Sequence, residues 1–217
     1  MQSTRRTPTS TAYRIGHRLL VAPSGLDVAP DAGQVVLRID AGAAFGDGAH
    51  PTTQLCLAAL ARHTQPGALI DLGTGTGVLA IAAAKLGAAP ILAVEIDAAA
   101  VAVARANVAN NQVTSSVQVE AGSLADVVAG RFGLTHAPLV VANILAHVLV
   151  DFFAQGLAET VTPGGLLILS GILRAQGPDI RARLGWHGLT QVAEAHRDDW
   201  LCVIAQRAPS STDSASG

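Results

Sequence analysis

Aromatic residues are scarce: four Phe, two Trp and one Tyr make up 3% of the 217 residues. So few rings leave little for the stacking platforms that hold single-stranded bases. Charge is sparse too, at 14%, with a net charge of −2 and a single lysine, Lys85. That balance argues against nucleic-acid binding driven by charge, and no direct nucleic-acid contact is expected. The two cysteines, Cys56 and Cys202, stand far apart, and the seven histidines are scattered. Neither a disulfide framework nor a metal-ligand spacing emerges, so no metal is expected, and a reducing compartment is the default. Long apolar runs are missing as well. The strongest, 139–153, is interrupted by Asn143, His147 and Asp151, whereas a membrane-spanning helix takes about 20 mainly apolar residues.

What is present is aliphatic. Half the residues are hydrophobic, enough for one core, and the length fits one domain. Residues 1–17 and 208–217 are rich in Ser and Thr and are expected to be disordered, leaving 18–207 as the folded domain. The first twenty residues carry Arg5, Arg6, Arg14 and Arg18 and no acid. That composition fits a mitochondrial transit peptide or a loose arginine-rich terminus; the second reading is preferred, and with it a cytoplasmic location.

Short strands are expected at 18–23 and 34–40, around a turn rich in Pro, Gly and Asp. From residue 68 onward, runs of branched residues alternate with alanine-rich stretches. The pattern predicts strands at 68–71, 91–95, 117–120, 139–142 and 166–170, and helices at 77–86, 98–110, 144–160 and 175–184. Such alternation argues for an α/β fold, a mostly parallel sheet with helices on both faces. Residues 188–195 and 201–207 read as an antiparallel pair added to the sheet edge. Cys56 is expected on an apolar helix face, and Trp200 in the packing of the terminal strand pair.

Residues 71–77 read Asp-Leu-Gly-Thr-Gly-Thr-Gly, after a buried strand and at the start of a helix. Glycines there let the chain turn sharply and let a ligand approach the backbone, with helix-start amides turned toward its polar atoms. A dinucleotide loop of the G-x-G-x-x-G form counted from Gly73 wants its third glycine at position 78, which is Val78. The glycine falls at Gly77 instead. A phosphate loop needs a lysine that does not follow. Glu95 lies 18 residues after Gly77 at the end of the next strand, close to the spacing of about 20 between a glycine loop and a ribose-binding acid. Asp97 is expected to cap the following helix. Ser123, after the third strand of the series, reads either as a hydrogen-bonding partner for a base or as a turn serine.

Three segments carry a closer resemblance. Residues 44–53 read Ala-Phe-Gly-Asp-Gly-Ala-His-Pro-Thr-Thr, 141–146 read Val-Ala-Asn-Ile-Leu-Ala, and 163–173 read Pro-Gly-Gly-Leu-Leu-Ile-Leu-Ser-Gly-Ile-Leu. The first resembles an A-F-G-T-G-x-H-P-T-T signature, and all three together resemble the ribosomal protein methyltransferases that act on protein eleven of the large subunit. The match runs from about 18 to 207. The lysine methyltransferase of the electron-transfer flavoprotein β subunit, a mitochondrial enzyme, is also similar. The resemblance implies a Rossmann-like class I methyltransferase fold: a mostly parallel seven-stranded sheet with an antiparallel C-terminal strand. It implies S-adenosylmethionine as cofactor and methyl transfer to lysine or N-terminal amines of a protein, a ribosomal protein of the stalk base being the first candidate.

Carried over residue by residue, the resemblance implies that Thr53 touches the cofactor, that Asp71, Gly73, Gly75 and Gly77 form its loop, that Glu95 holds the ribose, and that Ser123 lies near the adenine. Asn143 is implied at the methyl-transfer point, orienting the acceptor amine through its carbonyl oxygen. Phe45, Asp47, His50 and Thr52 are expected to line the substrate side or lid, with His50 holding the lid rather than acting as a base. Asp47 departs from the family threonine; its carboxylate either attracts a cation in the cleft or disturbs cofactor binding. The ribosomal enzymes carry an additional N-terminal recognition domain, which is expected to be lacking here, since only about 17 residues precede the matching region. A methyltransferase for RNA or a small molecule, and a catalytically silent cofactor-binding module, are the competing readings; oligomeric state is left open.

Overall fold

The computed structural model describes residues 11–42 and 44–209. The tails 1–10 and 210–217, expected to be disordered, lie outside the described residues. One part of that expectation is corrected: β1 (Tyr13–Ile15) falls within 1–17, because its residues pair antiparallel with β2 (Leu19–Ala22). β2 in turn pairs parallel with β3 (Val35–Arg38), giving a small three-stranded sheet.

The main sheet is built by β4 (Leu69–Leu72), β5 (Ile91–Glu95), β6 (Val117–Ala121), β7 (Ala137–Asn143), β8 (Val161–Leu173), β9 (Leu189–Arg197) and β10 (Trp200–Arg207). Its order is β6-β5-β4-β7-β8-β10-β9. All neighbours are parallel except β10, which runs antiparallel to both β8 and β9. The expected seven-stranded sheet is therefore present. Connections run outward from β4 in one direction and from β7 in the other. Ligand sites of open α/β sheets lie outside the carboxyl ends of the strands at that reversal.

Strand alternation divides the core into two layers. Leu69, Ile91 and Val141 face α1 (Pro51–His63), α2 (Val78–Lys85) and α3 (Ala98–Asn110). Ile70, Leu92, Val140 and Phe153 belong to the other layer, with α5 (Ala146–Ala154) and α6 (Gly177–Trp186). α2 is apolar nearly all round and sits buried, as a helix of that composition must. α3 spans the expected residues because Asp97 caps it, accepting from the Ala99 amide at 2.8 Å. α5 stops short of the expected 160, since Gly156 adopts φ +98° and the chain continues through a short 3-10 turn, Ala158–Thr160. β8 begins earlier than expected, at Val161. A short helix, α4 (Leu124–Val128), lies outside the expected elements. Among the described residues, no helix is long and apolar enough to cross a membrane.

Two asparagines, Asn107 on α3 and Asn111 at its C-cap, fasten the small sheet to the main domain. Asn111 exchanges hydrogen bonds with the backbone of Arg38, at 3.0 Å from its amide and 2.6 Å to its carbonyl. One turn earlier, Asn107 does the same with Asp40, at 3.1 and 3.0 Å, and donates also to the Thr76 carbonyl at 2.9 Å. Both amide side chains act as a substitute strand edge.

Candidate active site

A cleft of about 620 Å³ opens at the carboxyl ends of β4, β5 and β7, within the size range of ligand pockets. Nine of the expected site residues line it: Phe45, His50, Thr52, Thr53, Gly73, Gly75, Glu95, Ser123 and Asn143.

The glycine loop forms one wall. Gly73 and Thr74 both donate their amides to the Val94 carbonyl, at 2.9 and 3.1 Å, so the loop folds over β5. Gly75 has φ +55°, and a Cβ there would strike the Phe45 carbonyl oxygen. Segment 44–50, the expected lid, rests on this loop. Thr76 donates its amide to Phe45 at 3.0 Å and its hydroxyl to the Gly46 carbonyl at 2.7 Å. Glu95 closes the loop from below, accepting from the amides of Gly75 (3.0 Å), Ile96 (2.9 Å) and Asp97 (3.1 Å).

The opposite wall comes from α1 and β7. Thr53 is buried, and its hydroxyl lies 3.5 Å from Asn143 Nδ2. That contact leaves Asn143 Oδ1 buried without a hydrogen-bond partner. An orphaned buried acceptor costs about 1–3 kcal/mol, so its presence at a cleft wall is informative. His50 caps α1: its Nδ1 accepts from the Thr52 amide at 3.3 Å and lies 2.8 Å from the Thr52 hydroxyl. Its ring stands edge-on between Phe45 (5.2 Å) and Trp200 (5.0 Å). Ser123 contacts the cleft and also starts α4, sharing the Asp126 carboxylate at 3.0 Å.

Three expected residues do not line the cleft. Gly77, at φ +82°, starts α2, and a Cβ there would lie 3.4 Å from Ala104; its smallness serves helix packing. Asp47 turns back on its own loop, accepting from the Ala49 amide at 3.0 Å. Asp71 lies beneath the glycine loop, fully buried, its Oδ2 accepting from the Thr74 hydroxyl at 2.6 Å and the Ala80 amide at 3.2 Å. Burial pushes its carboxyl from 3.8 up to about 7; those two donors hold it down, and the Glu95 charge adds to the rise.

Other residues join the site without being foreseen. Trp200, expected only to pack the terminal strands, borders the cleft beside His50. Gly171 of β8 has φ +80°, and a Cβ there would strike the Ile144 carbonyl oxygen. The bare backbone of Gly171 thus admits the loop that follows Asn143. Ile96 and Leu145 stand at the rim, 79% and 58% exposed. His147 is exposed on α5 and does not line the cleft.

Comparison with known proteins covers the same residues. The family model described as "Ribosomal protein L11 methyltransferase (PrmA)" matches 9–208. The ribosomal protein L11 methyltransferase of Chloroflexus aurantiacus is 42% identical over 89% of this chain and 65% of its own length. That of Geotalea uraniireducens is 41% identical over 88% of this chain and 62% of its own. The chain thus spans less than two thirds of these relatives. A crystal structure of a ribosomal protein L11 methylase from Lactobacillus delbrueckii subsp. bulgaricus superimposes with a TM-score of 0.81 at 32% identity, covering 91% of this chain and 98% of that one. A tRNA methyltransferase of B. subtilis shares the fold at 18% identity, with a TM-score of 0.59 over 70% of this chain and 65% of that one.

Proposed function

The chain belongs to the ribosomal protein L11 methyltransferase family, and on that premise we propose that it transfers methyl groups from S-adenosylmethionine to lysine or N-terminal amines of a large-subunit ribosomal protein of the stalk base, acting in the cytoplasm. The observation that carries the reading is Asn143: its amide nitrogen turned to Thr53, its Oδ1 buried in the cleft wall without a partner. An acceptor so placed suits the N–H of an incoming amine.

The cleft fits the cofactor. Gly73 and Gly75 bring bare backbone to its wall, and Glu95 offers a carboxylate at the carboxyl end of β5. In this reading Gly73 lies against the amino-acid part, Glu95 holds the ribose, Ser123 lies near the adenine, and Thr53 borders the cofactor while fixing Asn143. When bound, the cofactor supplies a methyl already activated on a sulfonium. The protein then needs to position rather than activate, bringing the amine to about 3–3.5 Å in line. A lysine amine must first shed the proton it holds in water up to pH about 10.4. The apolar rim of Phe45, Ile96 and Leu145 favours the neutral form by removing water. His50, tied to Thr52 and set between two rings, serves the lid.

The experiment is transfer of labelled methyl from S-adenosylmethionine into a cell extract resolved by mass. A single labelled band of ribosomal-protein size, lost in Asn143→Ala while cofactor binding persists, is the expected result. A band elsewhere discards the ribosomal acceptor and keeps the chemistry. Equal transfer by Asn143→Ala removes Asn143 from its role. No label with bound cofactor makes the chain a silent binding module.

A further inference from the structure

Asp71 is an acid without a counter-charge. Its side chain is fully buried. Oδ2 takes both its donors, from Thr74 and Ala80, and Oδ1 has none. The ionisable groups facing it are acids: Glu95 at the end of β5, and Cys56 on α1, whose thiol pairs with that of Cys202 on β10. Lys85, at the far end of α2, spends its ammonium on the Val36 carbonyl at 2.8 Å. Among the described residues, no ion pair reaches Asp71. A carboxyl buried without a cation holds its proton to higher pH, because the bare charge is expensive there.

Its position gives that proton a use. Thr74, which donates to Asp71, lines the cleft. Asp71 therefore sits one hydrogen bond behind the wall, where intervening protein screens charge poorly. Cofactor and product differ in charge: S-adenosylmethionine carries a sulfonium cation, and S-adenosylhomocysteine a neutral thioether. We propose that Asp71 is a specificity-determining residue that reads this difference, giving up its proton when the cationic methyl donor binds and keeping it when the neutral product binds. The proposal rests on the reading of the cleft as an S-adenosylmethionine site. The proton passes from the carboxyl to solvent buffer, and the carboxylate left behind favours the sulfonium. Once the methyl has gone, the carboxyl takes a proton back, and that preference disappears with the charge that created it. The device favours exchange of spent cofactor for fresh.

Titration calorimetry on the whole chain near pH 7, in buffers of different ionisation enthalpy, counts the protons. The expected result is release of up to about half a proton per S-adenosylmethionine, since Asp71 is half protonated near pH 7. With S-adenosylhomocysteine the release is near zero. Below neutrality the Kd of the donor rises by up to about tenfold for each unit that the pH is lowered, while that of the product stays flat. Asp71→Asn, which keeps the shape and removes the proton, abolishes the difference, and product binding by the variant shows that it is folded. Equal proton release with both ligands, or a difference that survives in Asp71→Asn, overturns the proposal. If the variant does not fold, the donor and product measurements on the unaltered chain decide alone. Failure of the unaltered chain to bind either ligand overturns the cofactor reading and the proposal together, a result distinct from binding without proton release.

Discussion

Replacing Asn107 with alanine tests how the small sheet and the lid are held. Asn107 is 1% exposed and makes three hydrogen bonds, two to the Asp40 backbone and one to the Thr76 carbonyl. The three losses are unequal. Asp40 is exposed, so water replaces both of its lost partners and their net cost is small. Thr76 is fully buried, so its carbonyl pays most of the desolvation cost of an unmade bond, about 1–3 kcal/mol. Alanine is the better helix former by up to about 0.7 kcal/mol, which offsets part of the loss. The expected destabilisation is about 2 kcal/mol, read from urea unfolding with an unchanged m-value. A second effect follows from the same geometry, because Thr76 is also the residue that clasps Phe45 and Gly46 of the lid. The Kd for S-adenosylhomocysteine should rise in the variant. Destabilisation below about 0.5 kcal/mol would mean that water already satisfies the Thr76 carbonyl, and the clamp argument would be wrong.

Gly171→Ala and Gly164→Ala form a matched pair: both glycines have positive φ, but a Cβ at 164 meets open space while one at 171 meets the Ile144 carbonyl. Thermal unfolding should show a cost of about 1–2 kcal/mol at 164 from backbone strain alone. The cost at 171 should be larger, and only that variant should lose cofactor affinity. Asp71 also makes stability pH-dependent. Its carboxyl is raised from 3.8 to about 7 on folding, so its stabilising contribution is complete below pH 3.8 and is lost as pH climbs through about 7. Urea midpoints of the ligand-free chain should therefore fall between pH 4 and 8 relative to those of Asp71→Asn; a parallel course of the two curves would show that the shift is absent.

The strands and helices of the main sheet were legible because branched and alanine-rich runs alternate and because caps such as Asp97 mark their ends. The glycine loop, Glu95 and Asn143 were legible for a related reason: they sit at strand ends, where the fold brings such residues together. Gly77, Asp47 and Asp71 show the limit. A motif tells which residues build a loop, but side-chain direction depends on local φ, on burial and on which amides need an acceptor. Asp47 serves Ala49, and Asp71 serves Thr74 and Ala80. Trp200 and Gly171 were hidden for another reason. They reach the cleft through the pairing of β10 with β8, a register set by long-range contacts that no local window contains. β1 leaves no signal in the sequence, because three residues are too few to show a period.

The lid, the glycine loop, the end of β5, the end of β7 and the β8–β10 pair all contribute to one cleft. Its lining residues are drawn from positions 44 to 200 along the sequence. A molecule seated there therefore acts as a fastener for the whole domain, and its binding energy is withheld from every partly opened form that lets go of one wall. At a hundred times its Kd, such a ligand stabilises the closed fold by about 2.7 kcal/mol. That protection should spread from the small sheet to the terminal hairpin, so that a cell rich in cofactor also lengthens the life of this chain against proteases.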